Sequence, residues 1–228
     1  MERKAVKFLD FLLPRFCISC NKKLKSDEKV LCDFCKNQLE FASSDRLNFE
    51  YQKKFASNNI IKDFRSLYIF KVNSPIQDLI HSVKYHHKIA NGYFMGNQIA
   101  LNFNDVITNW SINLIIPVPL HHLKKAERGF NQSALIAKAI SKRLKIPFKS
   151  NIVKRKRYTQ TQTQLSLKER QENMLNAFNI KKKKFLNGEN ILVIDDVITT
   201  GATITECGKI LKENGANNVY AMTFALAD

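Results

Sequence analysis

The sequence predicts a doubly wound, mostly parallel α/β domain that follows a small N-terminal module built around four cysteines. Short apolar runs alternate with amphipathic segments of helical period along residues 63–228, as they do in doubly wound α/β sheets. One apolar run, Ile191 to Ile194, precedes two aspartates and a loop of threonine and glycine, which is typical of a ligand-binding strand end. The cysteines before residue 36 are grouped in two Cys-x-x-Cys pairs.

The composition is that of a globular protein with an excess of positive charge. Of the 228 residues, 44% are apolar, which is enough for a sizeable core, and the formal net charge is +17. No apolar run approaches the ~18 residues of a membrane span, and Asp10 and Pro14 interrupt the apolar N-terminal segment. We therefore expect a cytoplasmic protein with neither a membrane span nor a signal peptide.

The positive charge is concentrated between residues 121 and 170. This segment has fourteen Lys or Arg residues against two acidic ones. The density exceeds what one small phosphorylated ligand needs and favours a nucleic-acid partner. Solvated helix faces and a generally lysine-rich composition are the alternatives. Aromatic residues that could stack on unpaired bases lie near these cations and favour single-stranded DNA: Tyr85, Phe130, Phe148 and Tyr158.

The N-terminal module has a metal-binding pattern. Its spacing is C-x2-C-x11-C-x2-C, formed by Cys17, Cys20, Cys32 and Cys35. Two turns with two thiolates each can make one tetrahedral set, so the pattern predicts a structural zinc ion with no open coordination position. Disulfide bonds are the alternative, but a reducing compartment disfavours them. A segment of under ~40 residues has too small a core to fold unaided, and bound metal supplies the difference.

The sequence divides into three parts. Residues 1–45 are predicted to form an N-terminal helix and the four-cysteine module, residues 46–62 a linker, and residues 63–228 the α/β domain. The N-terminal helix is placed near residues 5–13, where apolar residues at helical spacing predict a docking face. Residues 41–62 are polar and irregular, and for this reason the domain boundary is placed there.

Hydrophobic period predicts the elements in the first half of the α/β domain. In residues 64–72 apolar and polar side chains tend to alternate, which predicts a strand. Residues 75–85 place their apolar side chains on one face of a helix. Residues 88–103 repeat the helical pattern. The apolar run Leu114-Ile115-Ile116 predicts a second buried strand, which ends at Pro117-Val118-Pro119.

The second half continues the alternation. Asn131 can cap a helix that runs to Leu144. A further helix is predicted to begin near Ile204, with a capping-box pattern at Thr203 to Glu206, and Gly215 is a suitable stop. Four strands are predicted here: 151–154, 176–180, 190–195 and 218–224.

The turn after the predicted strand 190–195 carries the clearest chemistry. Asp195 and Asp196 stand at the carboxyl edge of the sheet, where open α/β sheets bind ligands. The residues that follow suit a phosphate, because they offer hydroxyls, a close backbone approach and free N–H groups at a helix start: Thr199, Thr200, Gly201, Ala202 and Thr203. Two carboxylates facing that phosphate would repel it. They are predicted to bind ribose hydroxyls, or a hydrated Mg²⁺ shared with a diphosphate.

Two further loops are candidate parts of this site. Lys124 and Arg128 follow the second buried strand and would bring cations to a diphosphate, although a plain turn with a solvated Arg128 is the alternative. The segment Arg155 to Asn173 is polar and has no hydrophobic period before Leu165. A polar segment of this length predicts a mobile lid or binding loop, with simple disorder as the alternative.

The run Val-Ile-Asp-Asp-Val-Ile-Thr-Thr-Gly-Ala-Thr, residues 193–203, resembles the 5-phosphoribosyl-1-diphosphate (PRPP) motif of type I phosphoribosyltransferases. The resemblance implies that Asp195 and Asp196 contact the ribose hydroxyls and that residues 199–203 bind the 5′-phosphate. It also implies a type I phosphoribosyltransferase fold and PRPP bound with Mg²⁺.

The whole chain resembles the ComF family of phosphoribosyltransferase-like competence proteins. The resemblance rests on the four-cysteine module and, in this order, on Leu79-Ile-His-Ser-Val-Lys-Tyr85, Pro-Val-Pro-Leu120, Arg-Gly-Phe-Asn-Gln132, the Thr-Gln-Thr-Gln loop, and the Asp-Asp motif. It implies a role in handling imported single-stranded DNA during natural transformation, alongside other proteins of the competence machinery.

Three functions remain open at this stage. The chain is a DNA-binding competence factor with a PRPP pocket, or an active phosphoribosyltransferase that acts on a base or amine, or an adaptor that only holds partners. The basic and aromatic clustering favours the first, and the intact carboxylates and phosphate loop favour the second. No histidine or carboxylate stands out as a catalytic base, so no catalytic residue is assigned.

Overall fold

A computed structural model describes residues 14–155, 178–180 and 186–227. The predicted N-terminal helix and nearly all of the predicted lid, including Tyr158 and the Thr-Gln repeat, lie outside these residues. The described helices are α1 (Asp33–Lys36), α2 (Ser44–Lys54), α3 (Pro75–Tyr85), α4 (Ile89–Asn102), α5 (Asn104–Asn109), α6 (His122–Arg128), α7 (Gln132–Leu144) and α8 (Ala202–Glu213).

The described strands form one parallel sheet and one antiparallel pair. The strands are β1 (Phe64–Phe70), β2 (Leu114–Pro117), β3 (Val153–Arg155), β4 (Phe178–Ile180), β5 (Asn190–Ile198) and β6 (Asn218–Ala227). The parallel sheet has the order β1-β6-β5-β2, and β3 pairs with β4 in antiparallel orientation. All strands of the main sheet therefore end at the same edge, and β5 lies inside the sheet rather than at its margin.

Helices cover both faces of the main sheet, which confirms the doubly wound prediction. Ile191 and Val193 of β5 belong to a core that includes residues of α2 and α8. Leu192 and Ile194, on the opposite face, belong to a core that includes residues of α3, α4 and α7. The unbroken apolar run of β5 is explained by this burial on two sides.

Helix α7 is fixed close to α4, and this contact positions the loop that precedes it at the carboxyl edge. A Cβ atom added to Gly96 would lie 2.3 Å from the backbone oxygen of Ile136, so only glycine permits this approach. Asn131 caps α7 as predicted, and its Oδ1 accepts a hydrogen bond of 3.0 Å from Ser133 N–H.

The irregular structure predicted for residues 41–62 is wrong over helix α2. Ser43 caps this helix by accepting a hydrogen bond from the backbone N–H of Arg46. Phe55, which follows the helix, is fully buried and packs against Phe64 of β1. The sequence of α2 is polar, so its helical period is weak, and docking of its ends onto the sheet decides its conformation.

The cysteine module is joined to β1 by backbone hydrogen bonds. Ile69 N–H donates to the Glu40 carbonyl at 2.8 Å, and Ala42 N–H donates to the Leu67 carbonyl at 3.1 Å. The buried cysteines share a core cluster with Tyr68, so the module packs on the sheet rather than standing apart from it. In the described part of the chain, no helix is both long and apolar enough to cross a membrane.

Candidate functional site

The Asp-Asp turn is built by β5 and α8. Strand β5 continues past the predicted end at residue 195 to Ile198, and Asp195 is in register with Thr223 of β6. Helix α8 begins at Ala202 with Gly201 as its N-cap, so the capping box predicted from Thr203 to Glu206 is wrong. Gly201 has φ +81°, a left-handed conformation that glycine adopts without strain.

Four of the predicted phosphate-loop residues come together with Asp195 around a small cavity. Its volume is about 30 Å³, and its lining includes Thr199, Thr200, Gly201 and Thr203. Ala202, the first residue of α8, donates its backbone N–H to Thr200 Oγ1 at 3.3 Å. A side chain at position 201 would come within 3.1 Å of the Phe55 ring, so the loop lies directly against the end of α2. The start of α8 beside this cavity suits a phosphate group.

Asp195 is held by two hydrogen-bond donors. Ser133 Oγ donates to Asp195 Oδ1 at 2.7 Å, and the backbone N–H of Asp196 donates to the same oxygen at 2.9 Å. Burial of the carboxyl and the neighbouring charge of Asp196 nevertheless raise the pKa of Asp195 to about 7. The carboxylate form is therefore costly in the free protein.

Asp196 has a different environment because a lysine lies next to it. Lys84 Nζ, from the last turn of α3, is 2.6 Å from Asp196 Oδ2. The side chains of Asp196 and Lys84 are 7% and 21% exposed. Burial opposes ionisation, but the Lys84 ammonium outweighs it and lowers the pKa of Asp196. The ion pair also raises the pKa of Lys84 against the opposing effect of burial.

A second cavity, of about 210 Å³, joins this carboxylate pair to a group of cations. The predicted residues Lys124 and Arg128 both line it. Burial and the nearby cations Arg155 and Arg128 lower the pKa of Lys124. Arg128 lies over the Tyr85 ring, with 5.6 Å between the guanidinium carbon and the ring centroid. The structure thus brings the predicted cations to the predicted carboxylates.

Gln132 adds a polar group to the same cavity. The residue is 7% exposed, and its side-chain Oε1 accepts no hydrogen bond from the described part of the chain. A buried amide oxygen without a donor is costly, so a ligand with a hydroxyl or N–H group suits this position.

A cleft of about 730 Å³ opens beside the 210 Å³ cavity. Tyr93, Phe130 and Phe148 contribute half-buried rings to its wall. The two spaces share four lining residues: Pro119, Leu120, Asn131 and Arg155. The cleft also has a row of cations along it: Lys125, Lys138, Lys154 and Arg155.

The four predicted metal ligands form one cluster. One sulfur atom from each of the four cysteines, Cys17, Cys20, Cys32 and Cys35, lies within 4.8 Å of the others, and none is in a disulfide. Cys20 Sγ and Cys32 Sγ are 3.6 Å apart. A tetrahedral set with zinc–sulfur bonds of about 2.3 Å has sulfur–sulfur distances of about 3.8 Å, so the cluster can hold a metal ion of this kind.

Sequence patterns did not identify four residues that shape the site: Lys84, Ser133, Gln132 and Phe55. Lys84 belongs to a segment that the resemblance includes, but the segment gives no sign that this side chain reaches β5. Gln132 and Ser133 follow a recognised N-cap, and the first turn of a helix at a sheet edge is a position where polar side chains can face a ligand. Nothing in the polar pattern before Phe55 indicates contact with the phosphate loop.

Comparison with known proteins shows what the chain is similar to. The phosphoribosyl transferase domain family matches residues 131–227, which include Ser133 and the Asp-Asp turn. The chain is 29% identical over 221 residues to Competence protein F of Haemophilus influenzae, covering 92% of this chain and 96% of that protein. It is 33% identical over 148 residues to the DNA utilization protein YhgH of Shigella flexneri, covering 64% of each chain.

Two further similarities are more distant. Competence protein ComFC of Bacillus subtilis is 25% identical over 205 residues, covering 88% of this chain and 79% of that protein. A purine phosphoribosyltransferase of Pyrococcus horikoshii is 18% identical over 59% of this chain and 75% of its own, with a TM-score of 0.39. The parallel sheet and the matched domain together confirm a fold of the type I phosphoribosyltransferase kind. The chain is therefore homologous to Competence protein F and ComFC, and its residues 131–227 match the phosphoribosyl transferase domain family.

Proposed function

We propose that this protein acts in DNA uptake by binding single-stranded DNA in the 730 Å³ cleft and a phosphoribosyl diphosphate in the adjoining 210 Å³ cavity. The observation that carries the proposal is the shared wall, because Asn131 and Arg155 line both spaces. A nucleic-acid strand in the cleft and a small phosphorylated ligand in the cavity would contact the same residues. The names of the relatives, which refer to competence and DNA utilization, agree with this role.

The cavity accounts for each part of the small ligand. The 5′-phosphate binds the start of α8 at residues 199–203, and the ribose hydroxyls bind Asp195 and Asp196. The diphosphate then extends toward Lys124 and Arg128, which line the same cavity. Carboxylate and phosphate oxygens fit Mg²⁺, which would neutralise part of the diphosphate charge.

The cleft offers what a single strand of DNA requires. Phosphates are attracted by the exposed Lys125, Lys138 and Lys154, and unpaired bases stack on Phe130 and Phe148. Duplex DNA keeps its bases stacked on each other, so rings of this kind favour single strands. The strongly positive segment at residues 121–170 supplies most of this surface.

The metal ion in the four-cysteine module is zinc in this proposal, because four thiolates at tetrahedral distances are typical of structural zinc. Free thiolates also require a reducing compartment, which supports a cytoplasmic location. The module is joined to β1 by backbone hydrogen bonds. We propose that it supports the fold and presents a surface to proteins of the competence machinery.

Transferase activity is the second candidate function. The observation that favours it is the cleft next to the cavity, which has room for a base or amine acceptor beside the ribose. Transfer would release pyrophosphate when an acceptor is present. Incubation of the protein with PRPP, Mg²⁺ and a panel of bases and amines, with pyrophosphate measured, separates this function from binding alone.

The salt dependence of DNA binding tests the proposed cleft. A single strand held through about six phosphate contacts should lose roughly 300-fold in affinity between 50 and 200 mM salt. Replacing the cleft lysines Lys125, Lys138 and Lys154 jointly by alanine should weaken binding of a labelled oligonucleotide and flatten the slope of log affinity against log salt. Fluorescence anisotropy measures both quantities.

The matched control removes the same charge elsewhere, at the exposed residues Lys29, Lys62 and Lys209. It should leave the affinity within about threefold, because distant exposed charges are screened. Equal losses in the two triple variants would mean that net charge alone, and not the cleft, binds DNA. If binding survives in the cleft variant but disappears in Asp195→Asn/Asp196→Asn, the DNA lies in the phosphoribosyl cavity and the two sites are not separate.

A further inference from the structure

Lys84 lies in the ligand cavity but outside the matched phosphoribosyl transferase domain, which begins at residue 131. It is placed there by the last turn of α3, a helix that packs on β1 through its apolar face. Lysine is rarely buried unless it is paired, and four-fifths of this side chain is covered. The carboxylate that pairs with it, Asp196, is itself a residue of the proposed ligand site.

The ion pair reduces the repulsion that an anionic ligand meets in the cavity. Two adjacent carboxylates next to a phosphate loop repel a ligand with several negative charges. The Lys84 ammonium neutralises Asp196, and the hydrogen bond from Ser133 stabilises Asp195. With Lys124, Arg128 and Arg155, the lining of the cavity then has more positive than negative charge.

Phosphate-binding features lie in two adjoining cavities at the Asp pair. The small cavity at residues 199–203 is lined by Asp195 and lies next to the start of α8. Lys84 and the other cations line the larger cavity, which shares Asp195 and Thr203 with the small one. A ligand with its sugar on the aspartates therefore meets the loop with one phosphate and the cations with the other.

Gln132 offers the ligand a further contact. Its buried Oε1 accepts no hydrogen bond within the described residues, so a water molecule or a donor on the ligand can satisfy it. A sugar hydroxyl is such a donor. The lining of the cavity thus suits a molecule with hydroxyl groups and an anionic group.

We infer that Lys84 is a ligand-binding residue, whose ammonium neutralises Asp196 in the free protein and contacts the diphosphate of the phosphoribosyl ligand in the complex. The inference rests on the proposed function of the cavity. It gives a role to the Leu79–Tyr85 segment, which the sequence resemblance includes without explaining. Lys84 can serve both states because its ammonium carries three N–H donors, and its ion pair with Asp196 Oδ2 does not use all of them.

Two ligands that differ only in the diphosphate test this role. PRPP and ribose 5-phosphate share the sugar and the 5′-phosphate, so the ratio of their affinities isolates the diphosphate contact. Lys84→Met should weaken PRPP binding about 30-fold, as expected for the loss of a charged hydrogen bond, but ribose 5-phosphate binding less than about threefold. Lys84→Arg keeps the charge and should lose less than Lys84→Met. Titration calorimetry at fixed Mg²⁺ measures each affinity, and Lys88→Met, an exposed lysine just after α3, is the control.

The outcomes separate this inference from the proposed function. If the wild type binds neither ligand, the proposed function fails and the role of Lys84 fails with it. If the wild type binds both and Lys84→Met weakens both equally, or neither, Lys84 does not contact the diphosphate, although the cavity stands. If Lys84→Met does not fold, the ratio of PRPP affinity to ribose 5-phosphate affinity is measured in two other variants. These are Asp196→Asn and Asp196→Asn/Lys84→Met, which differ only at Lys84. An unchanged ratio in that pair overturns the inference.

Discussion

Replacing Cys32 by serine is expected to release the bound zinc ion and to unfold residues 14–40 while the α/β domain stays folded. The four sulfur atoms lie within 4.8 Å of one another, so removing one opens the tetrahedral set. Apparent zinc-binding free energies in small modules are of order 10 kcal/mol, more than the core of so short a segment supplies. Exposure of the buried Leu24 and Leu31 should then lower solubility.

Metal analysis and limited proteolysis measure this effect. The wild type should contain about one zinc ion per chain, and Cys32→Ser should contain little and be cut within the module. Cys207→Ser is the matched control, since Cys207 is buried on α8 in a different core cluster from the module cysteines and should leave the metal content unchanged. A wild-type protein without zinc, or with four oxidised cysteines, would show that the cluster is not a metal centre.

The two aspartates of the turn should respond in opposite directions when each is replaced by asparagine. Asp196→Asn leaves the Lys84 ammonium buried without its counterion and should cost about 3 kcal/mol of unfolding free energy. This is the low end of the range for a buried pair, because 21% of the Lys84 side chain is exposed. Asp195→Asn removes a carboxyl whose pKa is raised to about 7 and keeps an oxygen that can accept from Ser133.

The pH dependence follows from the signs of these shifts. A carboxyl whose pKa is raised in the folded protein destabilises the fold increasingly from its unfolded pKa of 3.8 up to about pH 7. Asp195→Asn should therefore gain stability relative to the wild type as pH rises from 5 to 8, by more than about 1 kcal/mol. Asp196 has a lowered pKa, so its stabilising contribution is present above the unfolded value and is lost as pH falls.

Urea denaturation at pH 5 and pH 8 checks the statement on Asp195, and a further measurement at about pH 3 checks the statement on Asp196. Asp105→Asn, an exposed carboxylate on α5, is the control and should change the free energy of unfolding by no more than about 0.5 kcal/mol. Destabilisation of equal size in both single variants at pH 8 would mean that Lys84 does not distinguish the two carboxylates.

The sequence predicted those helices and strands whose conformation is determined by their own residues. The first part of β5 is an apolar run because both faces are covered, α3 and α7 have a clear helical period, and α7 also has its predicted cap. The cysteine cluster follows from spacing alone. Lys124 and Arg128 line the cavity beside the Asp pair because chain connectivity brings the loop after a parallel strand to the carboxyl edge.

Other parts of the site depend on contacts between distant segments. Lys84 precedes Asp196 by more than a hundred residues, and within α3 it resembles any solvated lysine near a helix end. Helix α2 has a polar sequence, and the contact of Phe55 with Gly201 arises only when the sheet is assembled. Helix α8 was predicted to begin near Ile204 but begins at Ala202. The cause is local, because the turn ends at Gly201, which has a positive φ, and not at the capping-box threonine Thr203.

Titration of PRPP and Mg²⁺ into the zinc-loaded wild type and into Asp195→Asn/Asp196→Asn tests the central claim most directly. The account predicts one saturable site per chain in the wild type. It predicts affinity more than about 100-fold weaker in the double variant, because both ribose contacts are lost while the fold persists. Equal affinity in the two proteins, or no binding by the wild type, would contradict the account.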